Sequence, residues 1–365
     1  MDFIFRKSDE ASFLHCWNDY IQSHTASFRY LPAYLNYQLN YSSSLVSDES
    51  FAIVLDRRVV GICFLPIELQ RAALVIGLGG DFTYGPLTES EKAERACFEK
   101  IEEIARIKEV KKIMLYVDPL SYFPEKTFFN PLKKFNYIDT SGADCILNLR
   151  ISENELWNGV RKGHKSDIKK ILSDSEYRII RVDSENADYD IHEKYRVLHR
   201  KCSGKETRSK QTFDNQFEML TRNQATLFGL LRNNHFIGFN YFLHNQKTVI
   251  YMSGADDPEI KGIPIYHPIL WSAICYYQQK EFSLMQLSWP AGYSNIGGFS
   301  DYSDEKQLHI ARFKRGFGAD TVTRYRGTRY LDQHYFLEDL ETFRRRALAD
   351  HFGHIDVACS QHLTL

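Results

Sequence analysis

The order of predicted secondary-structure elements occurs twice along this chain, and this repeat constrains the fold more than any other feature. The first copy has helices at 9–24, 31–35 and 88–107 and strands at 50–55, 59–67, 73–78, 112–117 and 146–149. The second copy has helices at 191–201, 212–222 and 265–280 and strands at 226–232, 236–243, 248–253 and 284–289. Helices that alternate with short strands predict an α/β fold.

The clearest internal match joins two predicted hairpins. Residues 56–62 and 232–239 both contain a polar turn, two apolar residues, a glycine and another apolar residue. Hairpins often have this pattern, so the match alone is weak, but with the shared element order it supports two copies of one α/β unit. No segment rich in Pro, Gly or Ser separates the copies, so we expect two closely packed domains, residues 1–150 and residues 151–365.

Composition agrees with two domains and excludes some functions. The 365 residues are 43% hydrophobic, which is enough for two cores of ordinary size. The formal net charge is −1, so no DNA partner is predicted and any contact with RNA must come from a local basic patch.

The cysteine pattern and the apolar runs indicate a cytoplasmic protein. Seven cysteines are scattered without any CxxC pair, which predicts reduced thiols and neither a disulfide framework nor a metal site. The first residues, MDFIFRKSDE, have no secretory pattern. No apolar run approaches the roughly 18 residues of a membrane span, so no integral membrane segment is expected.

A basic block lies just after residue 150. Thr88 with Glu91 and Ser152 with Glu155 are spaced as capping boxes, and the second box predicts a helix that carries the block. The cations of the block are Arg161, Lys162, His164, Lys165, Lys169 and Lys170. They surround too much of one helix to form a single stripe of salt bridges, and such runs are usually solvated surfaces.

A second cationic cluster ends a predicted helix within residues 301–318. Its apolar positions are Leu308, Ile310, Ala311 and Phe313, its last turn holds Arg312, Lys314 and Arg315, and its exit holds Gly316 and Gly318. Glycines at a helix end permit the left-handed conformation. Cations in a last turn also complement the helix dipole without any ligand, and on the residues alone this interpretation is favoured.

Two segments together resemble one family of enzymes. Glu305-Lys306, Ile310 and the string FKRGFG from Phe313 to Gly318 resemble the C-terminal signature of FemAB-like acyltransferases, which attach amino-acyl groups to cell-wall precursors. Leu156-Trp157 and residues 161–170 look like the basic helix that opens the second half of those proteins. The resemblance spans nearly the whole chain and implies two tandem acetyltransferase-like (GNAT) domains packed together.

The resemblance also implies roles for particular residues. Lys314 is expected to handle the acyl donor and to stabilise the oxyanion that forms during acyl transfer, with Phe313 and Arg315 beside it. The block residues Arg161, Lys162, His164 and Lys165 are expected to contact phosphate, either a diphosphate of the acceptor or an RNA backbone. The other candidates are Tyr251 as a hydrogen-bond donor to the acyl group, His267 or Asp256 as acceptor of the amine's proton, and Arg208 and Tyr84 as substrate-binding residues in a charged loop and in the turn 80–86.

The predicted donor is aminoacyl-tRNA, bound as a substrate, and no cofactor is expected. Acetyltransferase-like enzymes that use coenzyme A bind its pyrophosphate on backbone N–H groups of a glycine-rich loop. The matching junction, residues 261–266, has one glycine and a proline, which removes an N–H donor. Acyl-CoA is the alternative donor.

The predicted reaction forms an amide on an amino group of a cell-envelope precursor, a nucleotide-linked sugar or a small metabolite. A non-catalytic binding protein is the competing class.

Overall fold

The computed structural model describes residues 1–121, 129–288, 295–296, 299–300 and 305–352, and it has a mixed α/β architecture. The elements up to residue 121 are β1 (Asp2–Phe5), α1 (Glu10–Ser23), α2 (Pro32–Tyr41), β2 (Leu45–Asp48), β3 (Phe51–Leu55), β4 (Arg58–Cys63), β5 (Pro66–Gln70), β6 (Ala73–Ile76), β7 (Thr83–Tyr84), β8 (Leu87–Thr88), α3 (Glu91–Ile107) and β9 (Lys112–Tyr116).

The second group of elements starts at residue 138. They are β10 (Ile138–Asp139), β11 (Gly142–Asn148), α4 (Glu153–Gly159), α5 (Lys162–Leu172), β12 (Tyr177–Val182), α6 (Tyr189–Ser203), α7 (Lys210–Thr221), β13 (Ala225–Arg232), β14 (His235–Asn245), β15 (Thr248–Asp256), α8 (Tyr266–Gln279), β16 (Leu284–Gln286), β17 (Asn295–Ile296), β18 (Phe299–Ser300), α9 (Glu305–Arg315), β19 (Asp320–Arg324), β20 (Arg326–Tyr330) and α10 (Gln333–Phe352).

The predicted repeat is present in the backbone. The matched hairpins turn through Asp56-Arg57 and Asn233-Asn234, and all four residues have positive φ, at 50°, 65°, 49° and 65°. Two consecutive residues with positive φ are typical of the type I′ turn, whose twist suits a two-residue hairpin. The polar residues that the sequence has at both turns therefore serve the same local geometry.

The sheets of the two halves exchange strands. The second-half sheet has the order β12-β13-β14-β15-β16-β11-β19, so it contains β11, which precedes residue 150. The large first-half sheet has the order β10-β20-β9-β6-β5-β2, so it contains β20 from the C-terminal part. A smaller sheet, β1-β3-β4-β8, completes the first half. The domain division at residue 150 stays a prediction, and strand pairing crosses it in both directions.

The halves also share one continuous hydrophobic core. Side chains of α1 and α2, such as Trp17 and Tyr34, belong to the same buried cluster as Tyr195 and Phe213 of α6 and α7. A side-chain hydrogen bond of 3.0 Å from Asn40 Nδ2 to Asn215 Oδ1 crosses the same boundary. The two halves therefore pack closely, as the sequence predicts.

Both halves contain parallel strand pairing, and the pairing differs between them in a way that positions the candidate site. In the first half β6 pairs with the start of β9, and β7 then pairs with the end of β9, so the chain itself fills the space beside β9. In the second half β15 pairs with β16 only through residues 248–250. From Tyr251 to Asp256 the edge of β15 that faces β16 has no strand partner among the described residues, which leaves a gap.

Two local predictions are wrong. The N-cap of α3 is Ser90, whose hydroxyl accepts a hydrogen bond from Ala93 N, and Thr88 instead lies in β8. The Ser152–Glu155 capping box is present, but the helix that it caps ends at Gly159. The basic block therefore starts a separate helix, and Arg161 precedes that helix rather than lying in it.

No helix in the described ranges is long and apolar enough to cross a membrane. Six cysteines of the described part are free thiols, namely Cys16, Cys63, Cys97, Cys145, Cys202 and Cys275.

Candidate active site

Lys314, in the last turn of α9, is an ammonium group in an apolar environment at the gap beside β15. Its Nζ lies 5.4 Å from the centroid of the Tyr251 ring, and Tyr251 is the first residue of β15 beyond the pairing with β16. No hydrogen bond or ion pair joins this ammonium to any part of the chain that the structure describes. Burial lowers the pKa of Lys314 to about 8, against smaller opposing effects of Asp144 and Cys145. At pH 7 the group is still mostly protonated, so the gap holds a desolvated positive charge.

Tyr251 and its neighbours form the wall of the gap opposite Lys314. The hydroxyl of Tyr251 donates a hydrogen bond of 3.3 Å to Asn240 Oδ1, and burial raises the pKa of Tyr251, so the phenol is neutral. A Cβ atom at Gly254 would lie 2.5 Å from this hydroxyl and 2.7 Å from the ring of Tyr266. Glycine at this position therefore lets both tyrosines lie against the strand backbone.

Asp256, at the end of β15, accepts two hydrogen bonds on one oxygen. The hydroxyl of Tyr266 donates to Asp256 Oδ1 over 2.8 Å, and the thiol of Cys202 donates to the same oxygen over 3.1 Å. The structure therefore connects Asp256 to the tyrosine pair through Tyr266. Its second carboxylate oxygen has no hydrogen-bond donor among the described residues.

Two histidines pack beside Phe313, the residue before Lys314. The rings of His164 and His267 lie 4.4 Å apart, and the His267 ring lies 4.9 Å from the Phe313 ring. His164 Nε2 donates to the Phe313 carbonyl over 2.9 Å, and Arg161 Nη2 donates to His164 Nδ1 over 3.2 Å. Burial lowers the pKa of His164, and burial together with the neighbouring His164 lowers the pKa of His267 to about 4. Both imidazoles are therefore neutral at pH 7.

The two segments that carry the family resemblance contact each other here. A Cβ atom at Gly316 would lie 2.2 Å from His164 Nε2, so only glycine leaves room for the imidazole. The Arg161 N–H donates to the Gly316 carbonyl over 2.8 Å. Gly318 has a φ of +84° and lies against the backbone of Gly159. The glycines of FKRGFG thus allow the basic segment to pack on the end of α9.

His164, Asp167 and His267 are residue types that bind transition metals. Each offers one ligand atom, and the three atoms lie within 4.8 Å of one another. The donor set does not fit a metal ion as it is arranged. His164 uses one ring nitrogen as a donor to a carbonyl, and its other nitrogen accepts from the guanidinium of Arg161. A cation would have to displace one of these contacts and lie beside a positive charge.

A chain of buried polar groups leads from the gap into the first half. The guanidinium of Arg29 donates to Asp118 and to Gln286 Oε1, each over 2.7 Å. Gln286 in turn donates to Asp144, whose pKa is raised by burial. Asp144 is the largest electrostatic support for the protonated form of Lys314. Sequence reasoning missed this chain, because the predicted strand 146–149 leaves out Asp144, which lies in β11.

No family model matches this chain, and a comparison with curated proteins found no match. Solved structures do match: the crystal structure of FemX superposes with a TM-score of 0.62 at 13% sequence identity, over 93% of this chain and 99% of that chain. This chain has the FemX fold. The predicted fold class, tandem acetyltransferase-like units packed together, is confirmed.

Two further solved structures share the FemX fold. One is the C-terminal domain of a putative lysylphosphatidylglycerol synthetase from Agrobacterium fabrum, with a TM-score of 0.56 at 9% identity over 96% of this chain and 99% of that one. The other is L-PGS from Bacillus licheniformis, with a TM-score of 0.52 at 10% identity over 78% of this chain and 85% of that one. Identities this low establish the fold alone.

Within this FemX-like fold, the remaining predicted residues lie in different environments. Lys162 is exposed at the start of α5, Lys165 is partly buried one turn later, and Arg315 ends α9. Tyr84 is 1% exposed and stacks on Phe64 in the first-half core, so it lies apart from the gap. Its strand β7 is the segment that fills the space beside β9.

Arg208 also lies apart from Lys314. It is in the loop between α6 and α7, as predicted, and its side chain is held by several contacts. Its guanidinium stacks on Phe213 at 4.0 Å and donates to Gln216 Oε1 over 3.0 Å. It also donates to Tyr195, which stacks on Tyr241 of β14. The next residue of β14, Phe242, instead faces Tyr251 and α8. Since successive strand residues point to opposite faces, Arg208 lies behind the sheet from the gap.

Proposed function

We propose that this protein is an acyltransferase that forms an amide on an amino group, with aminoacyl-tRNA as the acyl donor. The proposed acceptor is an amine of a cell-envelope precursor, a nucleotide-linked sugar or a small metabolite. One observation carries the proposal: the ammonium of Lys314 is desolvated and unpaired within the described residues, and it lies where β15 and β16 separate. Strongly perturbed ionisable groups in clefts are typical of active sites.

The geometry fits the charge that develops in acyl transfer. The neutral acceptor amine attacks the carbonyl carbon of the aminoacyl ester, and the carbonyl oxygen becomes an oxyanion. Lys314 would donate to this oxyanion in a medium of low dielectric. The Tyr251 hydroxyl would join it by exchanging its hydrogen bond to Asn240 for one to the oxyanion. The C–N bond forms, the ester C–O bond breaks, the amine loses a proton and the leaving ribose oxygen gains one.

Two groups are proposed as proton acceptors for the amine. Asp256 has one oxygen with no donor in the described part of the chain, and it lies beside Tyr266 at the edge of the gap. His267 is neutral, but a pKa of about 4 makes it a weak base at pH 7. Basicity does not separate the two groups, and both stay candidates for this role.

The backbone at the start of α8 favours the RNA donor over acyl-CoA. Pro264 and Pro268 each lack an N–H, and the N–H of Ile265 already donates to the Ile263 carbonyl over 2.9 Å. Few donors remain at this helix end for a pyrophosphate. In the first half the corresponding helix α3 has Glu91 and Glu94 in its first turn, which would repel an anion.

Acyl-CoA remains the second candidate donor because the edge of β15 that has no strand partner among the described residues can pair with the amides of an extended ligand. The fold comparison supports an aminoacyl donor, since one protein of this fold is named as a putative synthetase of lysylphosphatidylglycerol, an aminoacylated lipid. A non-catalytic protein is disfavoured because an ammonium that is desolvated and unpaired within the described residues lowers stability without a structural purpose.

The test is a transfer assay with mass-spectrometric detection of the amide product. Purified protein is incubated with a pool of aminoacyl-tRNAs or with acetyl-CoA, and with a panel of amine acceptors. We expect products from the charged tRNAs, and acetyl-CoA is expected to raise the melting temperature little, since stabilisation follows RT ln(1 + [L]/Kd). Products from acetyl-CoA alone, with a micromolar dissociation constant, would contradict the proposed donor and support the alternative.

A further inference from the structure

A groove with a volume of about 710 Å³ lies along helices α4, α5 and α8, outside the gap that holds Lys314. Its walls include Glu153 and Trp157 from α4, Ile168, Lys169 and Leu172 from α5, and Trp271 from α8. The volume is in the range of pockets that hold small organic groups.

The groove combines aromatic rings with cations. Trp157 and Trp271 meet edge to face with centroids 4.8 Å apart. The ammonium groups of Lys165 and Lys169 lie 5.8 Å and 5.7 Å from the Trp157 ring. Neither ammonium has a carboxylate partner among the residues that the structure describes, and α5 as a whole has four lysines and one aspartate. This helix has an excess of positive charge beside the groove.

We propose that this groove binds the single-stranded 3′ end of the donor RNA, an inference that rests on the proposed function. A base stacks on Trp157, and the neighbouring phosphates contact Lys165 and Lys169. Aromatic platforms flanked by cations bind single strands in this way, because every base has a π face and every nucleotide has a phosphate. The lining also contains one carboxylate, Glu153, but Lys165 and Lys169 beside Trp157 leave positive charge in excess there.

The position of the groove agrees with a donor whose reactive end is at Lys314. His267, which contacts Phe313, and Trp271, which lines the groove, lie four residues apart on α8, which is about 6 Å along the helix axis. On α5, His164 contacts Phe313 and the adjacent Lys165 approaches Trp157. A nucleotide on Trp157 would therefore be a short distance from the site where its aminoacyl ester reacts.

An anionic membrane is a poorer match for this surface. Membrane-binding helices present an apolar face outward, whereas the apolar residues Ile168 and Ile171 of α5 are each 1% exposed and face the core. Trp271 is 7% exposed and Leu172 alone is a largely exposed apolar residue of the groove. The tryptophans are recessed, which suits a flat base.

The test uses a labelled, uncharged single-stranded RNA that ends in CCA, with fluorescence anisotropy as the measurement. Lys165→Ala/Lys169→Ala is compared with Lys92→Ala/Lys133→Ala, which removes two exposed lysines of the first half and has the same net charge. We expect Lys165→Ala/Lys169→Ala to bind this RNA at least about tenfold more weakly. The slope of the logarithm of the binding constant against the logarithm of the salt concentration should become less steep by about 1.4, as for two lost phosphate contacts. Equal affinities of the two variants would overturn the inference.

Two further measurements separate this inference from the proposed function. If Lys165→Ala/Lys169→Ala transfers from aminoacyl-tRNA with an unchanged KM, the groove does not bind the donor RNA, whereas the proposed function stands. A different result would overturn the RNA ligand and identify a membrane surface. In that case the wild type binds vesicles of phosphatidylglycerol and phosphatidylcholine but no RNA, and the same variant abolishes the binding to vesicles. A higher KM for the tRNA with little change in kcat supports the groove.

Discussion

Replacing Lys314 with methionine is expected to stabilise the protein and to inactivate it. Methionine keeps much of the apolar bulk of the side chain and removes the desolvated charge. The folded-state pKa of about 8 lies below the ordinary 10.5, so protonation of Lys314 opposes folding by about 3 kcal/mol at pH 7. We therefore expect the free energy of unfolding to rise by about 2–3 kcal/mol and kcat to fall by about 10²–10³, as for loss of one oxyanion donor.

The stability gain has a definite pH dependence. Below pH 8 the lysine is protonated in both the folded and unfolded states, so the full penalty is present. As the pH rises from about 8 to 10.5 the folded protein binds fewer protons than the unfolded chain, and the wild type recovers this stability. Urea unfolding at pH 7 and at pH 10 should show the advantage of the variant and then its decline.

Arg312→Met, at an exposed position of the same helix, should change stability by less than about 0.5 kcal/mol. A destabilised Lys314→Met protein would mean that the charge has a structural partner.

Replacing Arg29 with methionine is expected to cost about 3–5 kcal/mol of stability, the range for breaking a buried ion pair. Arg29 and Asp118 are 5% and 2% exposed, and the same guanidinium also satisfies Gln286. The substitution leaves the carboxylate of Asp118 buried without its cation and removes a link between the two halves. Urea unfolding followed by circular dichroism measures the loss.

Two controls define this result. Arg232→Met breaks an exposed pair with Glu176 and should cost less than about 1 kcal/mol. Arg29→Met/Asp118→Asn should be more stable than Arg29→Met, because the second substitution removes the uncompensated charge. A loss below about 1 kcal/mol in Arg29→Met would mean that neither the pair with Asp118 nor the contact with Gln286 stabilises the fold.

The sequence could predict the local elements because their signals are local. Apolar periodicity located α1, α3, α7 and α8, and the polar turns located both hairpins. The exchange of strands had no such signal. The pairing of β20 with β9 joins Tyr330 to Lys112, residues more than two hundred positions apart, and the segment RGTRY has no apolar alternation of its own.

The candidate site was only partly predictable for the same reason. The resemblance selected Phe313, Lys314 and His164, and the structure brings them together around Gly316. It did not indicate that Tyr84 lies in a filled space or that Arg208 lies behind the sheet, since both facts depend on which strands pair. The Arg29 to Asp144 chain depends on side chains from both halves, and no spacing along the sequence marks it.

The role of Lys314 is tested most directly by the pH dependence of kcat once a substrate pair is known. If the ammonium stabilises the oxyanion, kcat with saturating substrates should fall as the pH rises through about 8, where Lys314 loses its proton. The same limb should be absent from the residual activity of Lys314→Met. A kcat that rises through this pH would instead identify Lys314 as a general base, and a falling limb that persists in Lys314→Met would assign it to another group; either result would contradict the proposed role of Lys314 as the oxyanion donor.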